Sequence, residues 1–190
     1  MTPFEYITVI VSVVLGLGIT HILGAITSMI RARRRVRFSW NHAAWLLLAF
    51  LGQLFLWWSI WSLRYIEVWN FFSFLLLLMQ PISLFVATSF LLPDSIQLEG
   101  DVDLDDIMDE ASRPYFLTLA TAPLIIYAYN CVISGGLVGG PGTLFLFFSF
   151  VITVAAALTR NRRFQLGLAI AFLIALIGFV TTYAGSLRST

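Results

Sequence analysis

VLGLGITHILGAITSMIRARRR, residues 14–35, carries the reading of the whole chain. It begins as a largely apolar run, spaced by glycine, and ends in a block of arginines. A run of this kind, with a basic block at one end, is how a membrane helix meets the water on one side of a bilayer. Extended back to Phe4, the run covers residues 4–30 and exceeds the ~20 residues needed to cross about 30 Å of hydrocarbon. The opening MTPFEY has no basic residue, so the run is expected to stay as a span and not to act as a cleaved leader.

Five further apolar runs follow, at 41–63, 69–92, 114–134, 141–159 and 164–187. They are continuous, whereas a membrane barrel alternates apolar and polar positions over ~10-residue segments. The composition agrees. The 190 residues are 59% hydrophobic and 11% charged, against about 45–50% and about 25% in an average soluble domain. The expected fold is an all-α membrane bundle of six helices forming a single domain over 1–190.

Charge placement gives the orientation. All 11 basic residues are arginine. Arg31, Arg33, Arg34, Arg35 and Arg37 follow the first span, and Arg160, Arg162 and Arg163 separate the fifth from the sixth. In a six-span chain these loops share a side, which the positive-inside rule makes cytoplasmic. Both termini are then outside. Trp57, Trp58, Trp61, Tyr65 and Trp69 read as an aromatic belt at the outer interface, with Trp40 and Trp45 marking the inner one. GGLVGGPG, residues 135–142, lacks the GK[ST] ending of a phosphate loop and reads as a turn.

Eight of the 10 acids lie between Asp94 and Glu110, in a polar segment covering residues 93–113. Leu104, Ile107, Met108 and Ala111 fall at helical spacing, so a short amphipathic helix is expected, able to lie along the inner membrane surface. Asp101, Asp103 and Asp105 imitate the start of a calcium loop, but Asp106 stands where glycine is needed and Ser112 where glutamate is needed. No metal site is expected. The acids Asp101, Asp103, Asp105, Asp106, Asp109 and Glu110 are expected either to pair with the arginine loops or to engage a cytoplasmic protein partner.

Inside the spans, Ser12, Gly16, Thr20, Gly24 and Ser28 recur every four residues and so share one helix face. Such a stripe lets a second helix approach closely, in the same chain or in a second copy, and a homo-oligomer is expected. Gly18 widens it. The polar residues at depth are His21, Gln53, Gln80 and Asn130, with Gln53 and Gln80 placed to meet across neighbouring helices. The two halves show no common pattern that would mark a repeat.

HExxH, GxSxG and paired intramembrane acids are all missing, so no enzyme is expected. Nothing in the charge distribution suggests nucleic acid as a partner beside the lipid bilayer. No cofactor is expected, since a haem would have only His21 and His42 as ligands. The leading expectation is a self-associating structural or regulatory membrane protein. The alternatives are a small oligomeric channel or transporter, its path lined by His21, Gln53, Gln80 and Asn130, and a haem-bearing redox protein.

FEY, LGLGITH, FLWW, WNFF and QP together resemble a set of small multi-pass bacterial membrane proteins without an assigned function. The resemblance covers residues 4–92. It implies a location in the bacterial cytoplasmic membrane and transfers no activity and no functional residue.

Overall fold

A computed structural model describes residues 2–66, 68–92 and 101–184, the side chains of 183 and 184 excepted. Asp94, Glu99, Glu67, Arg188 and the end of the sixth expected span lie outside the described residues. Among the described residues, six helices are long and apolar enough to cross a membrane. They are α1 (Pro3–Arg31), α2 (Trp40–Ile60), α3 (Phe71–Leu91), α4 (Leu104–Ser134), α5 (Pro141–Leu158) and α6 (Arg162–Phe179). The chain is therefore an all-helical, multi-pass membrane protein. A tight turn, Trp61–Tyr65, extends α2, and a wider turn, Val180–Ala184, extends α6.

Local chemistry sets the helix ends. Thr2 and Glu5 form a reciprocal cap at the start of α1: the Thr2 amide donates to the Glu5 carboxylate (2.9 Å) and the Glu5 amide to the Thr2 hydroxyl (3.2 Å). Asn70 and Ser73 do the same for α3, while Ser39, Asp103 and Asn161 cap α2, α4 and α6. The turn at 135–142 behaves as its glycines require. Gly135 ends α4 at φ 68° and Gly140 opens α5 at φ 111°, both conformations that a side chain disfavours.

The helices contact one another in the cyclic order α1, α3, α4, α5, α6, α2, and α2 also reaches across to α3 and α4. The largest cluster of buried side chains lies toward the arginine-bearing end, where Trp45, Tyr115, Phe116 and Met108 pack with Leu91, Ala156 and Ala169. Trp45 is fully buried there, with its ring 4.6 Å from that of Phe116. This corrects the expectation that Trp45 marks the inner interface. Trp40, one turn earlier, is exposed as an interfacial residue would be.

A second correction concerns the acidic segment. Leu104, Met108 and Ala111 are buried and Ile107 half-buried, so the amphipathic face exists. The segment is not a separate short helix, however. It runs on through Pro114 as the first turns of α4, which is 31 residues long. Proline is tolerated there because the exposed side of the turn can leave one carbonyl to solvent. Just before α4, β2 (Val102–Asp103) pairs in parallel with β1 (Val36–Arg37), which lies between α1 and α2. The loops after α1 and before α4 are thereby tied together at one end of the bundle.

Candidate functional site

Between α2, α3, α4, α5 and α6 the bundle encloses a cavity of about 320 Å³. That volume lies at the lower end of the ~300–1,000 Å³ range of ligand pockets. Its floor shares Leu48 with the buried aromatic cluster, and its other end is lined by Ser62 and Gly142, which are exposed. The cavity is thus closed toward the arginine-bearing end and reaches the opposite one.

Most of its wall is apolar, with Phe55, Phe145, Phe172 and Phe179 grouped on the α2, α5 and α6 sides. Phe145 and Phe179 stack at 4.5 Å, nearly parallel. The serine and threonine hydroxyls on the wall are already committed to their own helices. Ser59, Ser149 and Thr153 donate to the carbonyls of Leu56, Phe145 and Ser149 at 2.8, 2.7 and 2.9 Å. Two amides are different. The side-chain amides of Gln80 on α3 and of Asn130 on α4 line the cavity and bond to no described residue; Gln80 is buried and Asn130 half-buried. The Tyr129 hydroxyl, on the same wall, is buried without a partner. Pro81 and Pro123 withhold the N–H groups that would bond the carbonyls of Leu77 and Leu119, two more residues of the wall.

The four polar residues expected to share a path are not brought together. Gln80 and Asn130 reach the cavity. Gln53 does not: it is buried against Gly18 of α1, so close that a Cβ on Gly18 would fall 2.3 Å from Gln53 Oε1. Both polar atoms of its amide lack a partner, so the expected meeting of Gln53 with Gln80 does not occur. His21 lies on the exposed side of α1, its ring edge-on to Phe85 of α3 at 5.5 Å. His42 is buried elsewhere and bonds through Nε2 to the Leu91 carbonyl at 2.7 Å. The two histidines have different neighbours and do not form a pair.

The small-residue stripe also has a different place from Gly18. The buried face of α1 is Ile7, Val11, Leu15, Gly18 and Ile22. At ~100° per residue the stripe lies on the far side of the helix. Ser12 is half-buried, Gly16, Thr20, Gly24 and Ser28 are exposed, and nothing approaches an added Cβ at Gly16 or Gly24. Among the described residues of one chain the stripe packs no second helix.

At the arginine-bearing end, the acids meet the arginines of their own chain. Arg37 pairs with Asp103 at 3.0 Å. Arg162, at the start of α6, holds Asp109 through two hydrogen bonds (3.1 and 2.6 Å) and reaches Asp105 (2.9 Å) and Asp106 (4.0 Å). The Ser39 hydroxyl donates to the Asp105 carboxylate, which brings in the start of α2. Below this layer, Asn41 Nδ2 donates to Gln165 Oε1 (2.9 Å), and Gln165 Nε2 to the carbonyls of Ala156 and Thr159 (3.3 and 3.0 Å). Asp101 and Glu110 are exposed outside these pairs.

The part played by Arg162 and the Asn41–Gln165 bond was not singled out by sequence reasoning. The signal for the second was present: two polar residues just inside span ends that share one side. No family model, no curated protein and no solved structure matches the chain.

Proposed function

We propose that the chain is a membrane protein that binds a small, largely apolar molecule in the cavity between α2 and α6, as a transporter-type or receptor-type component of the membrane. The supporting observation is the cavity itself, whose mostly apolar wall carries the buried, unpaired Tyr129 hydroxyl and the side-chain amides of Gln80 and Asn130, which bond to no described residue. Buried polar groups are normally satisfied, and their exceptions call for an explanation. A ligand is the explanation adopted here. In this reading the arginine-bearing end faces the cytoplasm and both termini face outside, because the arginine loops share an end. The cavity then opens on the outer side. Location in a bacterial cytoplasmic membrane rests on the resemblance of residues 4–92.

Gly52 lies on the cavity wall with nothing near its missing Cβ, so Gly52→Phe should fill the space without disturbing the bundle. Native mass spectrometry of gently extracted protein tests the reading. The wild type should retain a discrete extra mass that Gly52→Phe loses. An identical spectrum for the two proteins would overturn the proposal.

A second reading, self-association through α1, is favoured by the outward-facing stripe. Its substance is a second copy of the chain seated on Gly16 and Gly24. A cytoplasmic partner, the other role expected of the acidic segment, would have Asp101 and Glu110 to meet it, since Asp103, Asp105, Asp106 and Asp109 are engaged within the chain.

A further inference from the structure

The chemistry of the cavity wall narrows what the cavity would take. Among the described residues no acid, arginine or histidine lines it. A charge moved to such a depth has nothing to neutralise it and is costly. Apolar bulk, by contrast, is well served by the four phenylalanines on α2, α5 and α6. Polar recognition falls to the amides and to the unpaired Tyr129 hydroxyl. Gln80 sits one residue from the middle of the 21-residue α3 and is only 3% exposed, so bulk water reaches it little. An amide in that position offers one acceptor and two donors. Leaving them unmade costs free energy that a ligand group could recover.

The two amides stand at different depths. Ser83 of α3 bonds to Thr121 of α4 at 2.7 Å, which fixes the register of these antiparallel helices. Gln80 is therefore level with about residue 124 of α4. Asn130 lies about 9 Å nearer the open end, at ~1.5 Å per residue. One amide is at the mouth and one is deep.

Resting on the reading of the cavity as a binding site, we infer that its ligand is an uncharged amphiphile, a lipid-like molecule with one neutral hydrogen-bonding head. The head bonds to Gln80 and the apolar body packs on the phenylalanines. Asn130 at the mouth is the first polar contact on entry.

The test uses the full chain in nanodiscs and three diazirine probes of equal chain length: a fatty alcohol, the corresponding fatty acid and the plain alkane. Crosslinks are mapped by peptide mass spectrometry. The alcohol should label the α2 and α5 residues of the cavity roughly fivefold more than either other probe, the effect of one net hydrogen bond. Gln80→Leu should lower alcohol labelling to the level of the alkane and leave alkane labelling intact, which also shows that the variant is folded. Equal labelling by alcohol and alkane, or preference for the acid, would overturn the inference while leaving a binding cavity. Absence of all three probes from the cavity, with lipid-facing residues labelled, would overturn the binding reading itself.

Discussion

Gln53 shows how much depends on the rotation of one helix. Its amide is buried against Gly18 with neither polar atom paired, an arrangement that costs stability. Replacing a buried, unpaired polar group by an apolar one of similar size is neutral or stabilising. Gln53→Leu should therefore raise the stability of the protein in micelles by about 1 kcal/mol, read from its thermal unfolding. A fall of that size would mean that the amide has a partner in the membrane. Gly18→Leu should be strongly destabilising, because there is no room for a side chain between α1 and α2. The sequence marks Gln53 and Gln80 equally, as mid-span amides on adjacent helices. Which way each faces is decided by how α2 settles between α1 and the cavity, and span-level reading does not resolve a turn of ~100° per residue.

Among the elements, α1 and the arginine-bearing end make separate predictions. The stripe on α1 was legible as a shared face from its period of four, but its direction was not. Apolar residues surround it on every side of the helix, so no amphipathic contrast separates the inner face from the outer. Gly16→Ile and Gly24→Ile should leave the helix content of each monomer unchanged by circular dichroism and shift the protein toward the monomer in sedimentation. An unaltered copy number would remove the self-association reading. At the other end, Arg162 joins α6 to the first turns of α4 through Asp105, Asp106 and Asp109. These side chains are partly exposed, so salt should weaken the pairs. Arg162→Gln should speed hydrogen exchange in 101–110 and leave the exchange of mid-span amides alone. High salt should reproduce the effect in the wild type. No change in 101–110 would show that the caps and the β1–β2 pair hold this end unaided.

For the whole molecule, the presence of six helices long and apolar enough to cross a membrane follows from length and hydropathy, because in a bilayer each backbone group must be satisfied within its own helix. The pairing of the arginine loops with the acidic segment was also open to charge reasoning. The ring order α1, α3, α4, α5, α6, α2 was not, and the cavity depends on it. Five helices of similar composition can close tightly or leave a gap, according to where bulky and small residues fall at each level. Here Trp45, Tyr115 and Phe116 fill one end, while Gly52 and Ala122 leave space in the middle. The same distribution explains why the cavity ends on the arginine-bearing side: the aromatic cluster plugs it and the ion pairs lie beyond.

If the cavity is a binding site, its ligand must contribute to the stability of the folded protein. A ligand that binds only the folded state raises the melting temperature, by an amount that grows with the logarithm of its concentration relative to its Kd. The most direct measurement is the thermal unfolding of stripped wild-type protein and of Gly52→Phe, each with and without lipid extract from its own membrane. The wild type should gain several degrees on adding the extract, and Gly52→Phe should gain little. Equal gains in both would assign the effect to lipid around the bundle, and no gain in either would leave the cavity without a ligand from that membrane; each would contradict the account.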